Sequence, residues 1–227
     1  MRPPLRFLLA LVPVWLAAFA PAHAQDATLY VVRYIEVAPG DEAKTAGLLK
    51  QLAEASRKEA GNQRFEVLQR VSPAGQFATF EIWKDKEAQD AHLAAAQTKS
   101  FTDAVQASLL GPIDDRPCIA ADAAPLMPAS GAARYVITHV DFAPPQRDKG
   151  LGFLKAAAEA GRKEAGNLGW SALQQTARNN HFEVIEIWKD QKADDEHEML
   201  PATKQFRADV QPLLGAHYDR RWYTAAP

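Results

Sequence analysis

The chain contains the same segment twice, 105 residues apart. Two motifs mark the copies: RKEAGN at 57–62 and 162–167, and EIWKD at 81–85 and 186–190. Aligned without a gap, 30–106 and 135–211 share 33 identical residues in 77 positions. A repeat of this length indicates two whole domains rather than the short units of a solenoid.

The limits of the two copies follow from this alignment and from composition. We predict a first repeat over 25–120, a linker over 121–133 and a second repeat over 134–227. The linker is rich in Ala, Pro and Gly, which is typical of a connection. Leu-Leu-Gly occurs at 109–111 and again at 213–215, an offset of 104, so we expect the second copy to lack one residue there.

The first 24 residues read as an export signal. Arg2 and Arg6 form a basic start, 7–20 is apolar, and Ala-His-Ala precedes Gln25. This order predicts a cleaved signal peptide over 1–24. The apolar run is shorter than the roughly 20 residues of a membrane span, which argues against an uncleaved anchor. We therefore expect a periplasmic or secreted protein with no stable membrane insertion after cleavage.

Each repeat shows the same order of predicted elements. For the first copy these are a strand at 30–37, a helix at 41–60, strands at 64–71 and 77–84, a helix from Asp85 past His92, a helical stretch at 101–110 and a strand at 116–120. Gly61 is expected just beyond the end of the first helix. The order βαββαβ predicts an α+β, ferredoxin-like domain.

Alternation along the third strand separates two sets of side chains. Phe80 and Ile82 point one way, and Glu81 and Trp83 point the other. We expect the first pair to cover the helices. The second pair should then meet the sheet of the other repeat, because a tryptophan is costly to leave in water. This pairing predicts a monomer that contains an intramolecular pseudo-dimer.

The ordered residues of each copy resemble a known family. Glu81-x-Trp83, Ala88, His92, Thr98 and Phe101 all recur 105 residues later, and together they resemble the antibiotic biosynthesis monooxygenase (ABM) domain. The resemblance implies a dimeric α+β barrel, here made by two tandem repeats packed sheet to sheet. It also implies cofactor-free oxidation of phenolic or quinol substrates, as in some members.

Other members of that family degrade haem. The resemblance implies that such members need an Asn in the first strand and a Trp with a His on the helical side. This sequence has Tyr34 and His139 in the first strands and His92 at the helical position. These differences argue against haem degradation.

Four residues are the candidate catalytic groups. His92 and His197 could act as the base that deprotonates a substrate, because histidine titrates near neutral pH. Glu81 and Glu186 could orient a histidine or bind a hydroxyl. The alternatives are a histidine held for packing and a glutamate in a structural hydrogen bond or an interface ion pair.

Aromatic side chains supply the candidate substrate-binding set, with packing as the alternative reading. Its members are Tyr30, Tyr34, Phe65 and Trp83 in the first copy, and Tyr135, His139, Trp170 and Trp188 in the second. Because Tyr34 is replaced by His139 and Phe65 by Trp170, we expect two non-equivalent pockets.

Several classes of protein are excluded or disfavoured. The single cysteine, Cys118, rules out a disulfide framework and a Cys-rich zinc site. The acidic run 194–198 lacks the spacing of a metal motif and suits a solvated helix start. No glycine-rich phosphate loop is present, so we predict neither a flavin nor a nicotinamide cofactor. A net charge of −2 argues against nucleic acid as a partner.

Two functional hypotheses remain. The first is a cofactor-independent monooxygenase of a small aromatic, quinol or phenol. The second is a non-catalytic module of the cell envelope that binds a small ligand or a partner. They differ in whether His92 or His197 faces an enclosed cavity together with Glu81 or Glu186.

Overall fold

The computed structural model describes residues 28–127, 129 and 131–226. The first repeat contains β1 (Leu29–Glu36), α1 (Glu42–Ser56), β2 (Asn62–Arg70), β3 (Gln76–Trp83), α2 (Lys86–Ala94), α3 (Ala96–Val105) and β4 (Asp114–Asp122). The second contains β5 (Arg134–Asp141), α4 (Arg147–Gly161), β6 (Asn167–Gln175), β7 (His181–Trp188), α5 (Gln191–Met199), α6 (Pro201–Val210) and β8 (Asp219–Ala225). The predicted order βαββαβ is confirmed, with the second helical segment of each copy divided in two.

The eight strands form one closed antiparallel barrel. Their order around it is β1-β3-β2-β8-β5-β7-β6-β4. The two repeats join where β2 pairs with β8 and where β4 pairs with β6. Equivalent strands begin at the same end, so the pseudo-two-fold axis runs along the barrel. The predicted fold, an intramolecular dimeric α+β barrel, is therefore confirmed.

The 105-residue offset holds to the last strand, so the expected deletion is wrong. Leu109 bridges Val37, and Leu214 bridges Phe142 in the same way. Each of those leucines follows a short 3-10 turn of three residues. The Leu-Leu-Gly similarity at an offset of 104 is a coincidence of composition, because backbone pairing with the first strand fixes the alignment.

The first helix is shorter than the sequence suggests. It ends at Ser56, whose Oγ donates to the carbonyl of Leu52 at 2.8 Å. Gly61 instead serves the turn into β2, with a φ of +88°. A Cβ at Gly61 would lie 2.6 Å from the Cβ of Ala88, so this close approach also favours glycine.

The face assignment along the third strand is wrong, because the two faces are exchanged. Phe80 and Ile82 point into the barrel, where they meet aliphatic and aromatic residues of the second repeat. Trp83 points outward and packs under α1 and α3 with Leu49 and Phe101. Alternation groups the side chains correctly but does not say which group faces the helices, since both faces are buried.

The linker covers one end of the barrel, the end where β1, β2, β5 and β6 begin; we call it the linker end. Leu126 packs on the barrel interior, and a Cβ at Gly169 would overlap it. Arg64 donates through Nη1 to the carbonyl of Leu126 at 3.0 Å. Strand β4 continues to Asp122, two residues into the predicted linker over 121–133.

The predicted signal peptide over 1–24 lies outside the described residues. Within 28–127, 129 and 131–226, none of the helices is long and apolar enough to cross a membrane.

Candidate functional site

Each repeat holds one histidine beneath its helices, over the outer face of the sheet. Asp85 caps α2 by accepting a hydrogen bond from the backbone N–H of Ala88 at 2.8 Å, and Asp190 caps α5 on Ala193 in the same way. This cap directly after the third strand fixes where the helix begins. The histidine seven residues beyond the cap therefore lies over the last tryptophan of that strand.

The histidine and tryptophan rings contact each other identically in the two copies. The ring centroids of Trp83 and His92 are 4.7 Å apart, as are those of Trp188 and His197. Trp83 donates through Nε1 to Glu81 at 2.9 Å. Trp188 donates to Glu186 at 3.1 Å. The structure thus brings the four candidate catalytic residues together in two pairs, each with its tryptophan.

A second carboxylate binds each histidine at Nδ1, and it was not among the candidates from sequence. Nδ1 of His92 lies 3.1 Å from Glu59, and Nδ1 of His197 lies 2.9 Å from Glu164. A carboxylate on Nδ1 fixes the orientation of the ring and leaves Nε2 for another partner. The signal was present, since Glu59 and Glu164 are the acidic residues of the repeated RKEAGN motif.

The pocket of the first repeat is filled. His92 is fully buried, and its Nε2 has no hydrogen-bond partner among the described residues. Both oxygens of Glu81 are occupied, one by the hydroxyl of Thr79 at 2.7 Å and one by Trp83. Gln97 closes the outer side by donating to Glu59 at 2.7 Å. A cavity of about 140 Å³ lies at Leu52, Gln97 and Phe101, but its lining does not include His92, Trp83 or Glu81.

The pocket of the second repeat contains a cavity of about 40 Å³. Its lining comprises Ala157, Ala160, Glu164, Trp170, Glu186, His197, Ala202, Thr203, Phe206, Arg207 and Tyr218. Ala157 and Ala202 stand where the first repeat has Leu52 and Gln97, so the loss of two larger side chains opens this space. Val184 replaces Thr79, so the hydroxyl that occupies one oxygen of Glu81 has no counterpart on Glu186.

The open pocket places a base beside a carboxylate. Nε2 of His197 lies 3.7 Å from Oε2 of Glu186. Arg220 also approaches that oxygen, at 3.4 Å, and it binds Asp194 at 2.7 Å. Burial raises the pKa of the Tyr218 hydroxyl well above its ordinary value, and the charge of Glu186 adds to this effect. Tyr218 therefore stays protonated in the pocket; its counterpart in the first repeat is Ile113.

The guanidinium beside the glutamate comes from different strands in the two copies. In the first repeat Arg33 on β1 pairs with Asp115 on β4. In the second repeat Thr138 takes the place of Arg33, and Arg220 on β8 takes the place of Asp115. The second repeat thus keeps a positive charge near its glutamate, although both Arg33 and Asp115 are replaced there. In both copies a guanidinium lies near the buried glutamate, as is usual for a buried charge.

The family comparison covers both repeats. The model described as antibiotic biosynthesis monooxygenase matches 28–104 and 133–209. This chain belongs to the antibiotic biosynthesis monooxygenase family. The resemblance inferred from the Glu-x-Trp, His, Thr and Phe pattern is therefore confirmed.

Individual relatives agree with the family assignment. "Putative monooxygenase YcnE" of Bacillus subtilis is 28% identical over 81 residues, which is 36% of this chain and 85% of that protein. A structure named a "putative monooxygenase" from Fusobacterium nucleatum superposes with a TM-score of 0.79 at 16% identity, covering 88% of this chain and 93% of that one. A similarly named structure from Lactobacillus acidophilus gives 0.72 at 14% identity, covering 88% and 95%. The two structural matches show the shared two-repeat fold.

The candidate substrate-binding residues of this ABM protein divide into two groups. Phe65 and Trp83 lie in the filled pocket, and Trp170 lines the cavity above Trp188. Tyr30, Tyr34, Tyr135 and His139 point into the barrel interior, away from both histidine pockets. The eight candidates therefore occupy two different places, because the first strand turns the side chains of Tyr30, Tyr34, Tyr135 and His139 toward the pseudo-two-fold axis.

Inside the barrel, Tyr34 and His139 both bind Glu183, a residue that was not among the candidates from sequence. The hydroxyl of Tyr34 donates to the fully buried Glu183 at 2.9 Å, and Nδ1 of His139 lies 2.9 Å from the other oxygen. Arg116 and Gln175 donate to that same oxygen at 2.8 and 2.9 Å. Burial raises the pKa of Glu183, but the hydrogen bond of His139 and the charge of Arg116 outweigh it, so the pKa lies below its ordinary value.

Glu183 should make the stability of the barrel sensitive to acid. Its folded pKa lies below the unfolded value of about 4.3, so its contribution is fully present above that pH and is lost as pH falls through the folded pKa. We expect Glu183→Gln to lower the free energy of unfolding by about 2–3 kcal/mol at pH 7. Urea titrations should show that the difference in free energy of unfolding between variant and wild type is smaller at pH 3.5 than at pH 7. The exposed control Glu87→Gln should change little at either pH, and a gap that widens in acid would refute this assignment.

No group of three or more His, Cys, Asp and Glu side chains arranged to hold a metal ion occurs in the part of the chain that the structure describes. Cys118 is a buried free thiol, and burial raises its pKa well above the ordinary value.

Proposed function

We propose that the second repeat is a cofactor-independent monooxygenase site for a small phenol or quinol, and that the first repeat is a filled structural copy. One observation carries the proposal: the cavity of the second repeat is lined by its histidine, His197, and by a glutamate with an oxygen that no hydroxyl occupies, whereas the first-repeat cavity at Leu52 and Gln97 is not lined by His92. The family assignment supports oxygen chemistry. The second repeat is the one proposed to be catalytic because Ala157 and Ala202 leave space beside its histidine, whereas the larger Leu52 and Gln97 occupy those positions in the first repeat.

The proposed reaction uses dioxygen as the oxidant. Nε2 of His197 accepts the phenolic proton, and the phenolate gives one electron to dioxygen. A hydrogen-bearing ring carbon ortho or para to the hydroxyl then forms a C–O bond, and the O–O bond breaks. One oxygen stays as the carbonyl of a quinone; the other leaves as water with the phenolic proton and the ring proton. The ring supplies all four electrons, so no further reductant is needed.

The residues around His197 suit the proton transfer in this scheme. Glu164 on Nδ1 and Glu186 near Nε2 stabilise the imidazolium that forms when the base accepts a proton. Trp170 and Phe206 supply apolar walls that exclude water from the anion. The protonated Tyr218 can donate a hydrogen bond to a substrate oxygen.

The size of the cavity defines how a substrate enters. About 40 Å³ accommodates dioxygen or one water molecule, whose share of liquid volume is about 30 Å³. A phenol ring therefore needs the mouth to widen. Arg207 pairs with Glu198 and is one-third exposed, so we propose that its side chain moves aside to admit the ring.

The test is oxygen consumption by the mature protein with a panel of phenols and quinols. We expect turnover to incorporate one atom of labelled dioxygen into the product and to release the other as water. Filling the pocket with Ala157→Leu and Ala202→Gln should abolish it, because these changes restore the residues of the closed copy. The matched control, Leu52→Ala in the first repeat, should leave turnover unchanged. Ligand binding without oxygen uptake would favour the non-catalytic envelope module instead.

We also propose that the protein acts after export, in the periplasm or outside the cell, as a monomer. The basic, apolar and small-residue order of 1–24 supports export. The closed barrel supports the monomer, since each repeat already serves as the partner of the other.

A further inference from the structure

The end of the barrel opposite the linker, which we call the polar end, departs from the internal two-fold symmetry, and one of these departures concerns a buried charge. Glu183 on β7 lies in register with His139 on β5. Its counterpart on β3 is Ala78, in register with Tyr34 on β1. Both side chains point into the barrel, on opposite sides of the pseudo-two-fold axis. The interior therefore has one buried carboxylate where the symmetry provides places for two.

A cavity lies on the Ala78 side of the axis, lined by Tyr34, the register partner of Ala78, although not by Ala78 itself. Its volume is about 180 Å³. The lining includes Tyr34, Gln76, Asp114, Arg116, Arg221 and Tyr223. Tyr223 is fully buried, and its hydroxyl has no hydrogen-bond partner among the described residues. An unpaired buried hydroxyl at a polar cavity is costly and indicates a site that a polar group completes.

The charges around this cavity repeat those around Glu183. Arg221 is the counterpart of Arg116, and both guanidiniums lie against the ring of Tyr34, at 5.1 and 4.6 Å from its centroid. Arg116 uses one edge for Asp114 and Nη1 for Glu183. Arg221 uses the equivalent edge for Asp219, and its Nη1 has no hydrogen bond to a described residue. The donor that would hold the second carboxylate is thus present without its acceptor.

We propose that the polar end of the barrel binds a small single-ring organic carboxylate, whose carboxyl group takes the place of the missing partner of Glu183. Nη1 of Arg221 and the hydroxyl of Tyr223 bind the carboxylate. The ring lies in the outer part of the cavity, toward Gly111 and Pro112. A cavity of about 150 Å³ accommodates benzene, so 180 Å³ is large enough for one ring.

This site is independent of the proposed monooxygenase pocket. The two cavities share no lining residue. One lies at the polar end of the barrel beside Tyr34 and Tyr223, and the other lies between the sheet and the helices of the second repeat. Two carboxylates line the cavity: Asp114 is paired with Arg116, and the exposed Glu36 accepts a hydrogen bond from Gln76 at 2.9 Å. Asp219, nearby, is paired with Arg221.

The test is calorimetric titration of the mature protein with benzoate, and with benzamide as its uncharged control. We expect one benzoate per chain and no benzamide binding over the same concentrations. Arg221→Gln should weaken benzoate binding at least tenfold, and Tyr223→Phe about fivefold to tenfold, because each removes a hydrogen bond to a charged group. Ala78→Glu should abolish binding by supplying the missing carboxylate. Thermal melts identify any variant that fails to fold.

The results also separate this proposal from the proposed function. Ala202→Gln should close the monooxygenase pocket and leave benzoate affinity unchanged. If Ala202→Gln removes binding while Arg221→Gln and Tyr223→Phe do not, benzoate occupies the other pocket and the proposal is wrong. Equal binding of benzamide, or no benzoate binding up to millimolar concentrations, would overturn it as well.

Discussion

A chain cut to residues 28–122 is expected to have no folded monomeric state. Alone, this half has the strand order β4-β1-β3-β2, so β2 and β4 become open edges. Its inward face, which includes Val32, Leu68 and Phe80, loses contact with the second repeat. Exposing about eight such side chains costs about 1.5–3 kcal/mol each, which reaches or exceeds the 5–15 kcal/mol stability of a typical domain.

Sedimentation and circular dichroism of the purified half give the measurement. We expect a dimer that rebuilds the barrel with a second copy of itself, or an aggregate. Co-expression with 123–227 serves as the control, and it should restore a one-to-one complex with a cooperative melt. A half chain that sediments as a monomer and melts cooperatively would show that the sheet is stable without its partner.

His197→Ala is expected to lower turnover by about 10²–10⁴-fold, the range that a positioned base contributes. The change should cost little stability, about 1–2 kcal/mol, since His197 borders a cavity and the walls can relax. Initial rates of oxygen uptake on a phenol substrate, taken beside thermal melts, give both quantities. The fall of the rate on the acid side of the pH profile should disappear in the variant, because a general base must be unprotonated to act; a purely structural role would not produce this change.

His92→Ala is the matched control in the same chain. His92 is fully buried between Trp83 and Phe65, so we expect a loss of about 2–3 kcal/mol of stability with turnover retained. The two variants should therefore differ: His197→Ala mainly loses turnover, and His92→Ala mainly loses stability. Equal losses of rate in both variants would show that the filled copy is catalytic or that neither histidine is the base.

The local chemistry of the site was largely readable from sequence. The repeated Glu-x-Trp and the histidine seven residues after the capping aspartate are short-range patterns, and the structure assembles them as two equivalent units. Glu59 and Glu164 could have been included, since they belong to a repeated motif. Tyr218 could not, because its counterpart is Ile113 and only the barrel register shows that they are equivalent.

The duplication and the element order follow from the amino-acid sequence, because they depend on repeated residues and on periodicity. The pairing of the two sheets was correctly expected from the duplication and the family resemblance, although the strand face chosen for it was wrong. Tertiary structure alone decided which face of each strand lies under the helices. It also decided that Ala157 and Ala202 open one pocket while Leu52 and Gln97 fill the other. Alternation fixes relative direction along a strand, whereas the side that is inside depends on packing between residues far apart in the chain. The positions of Glu183 and Ala78 are decided in the same way, because only closure of the barrel places these two residues opposite each other.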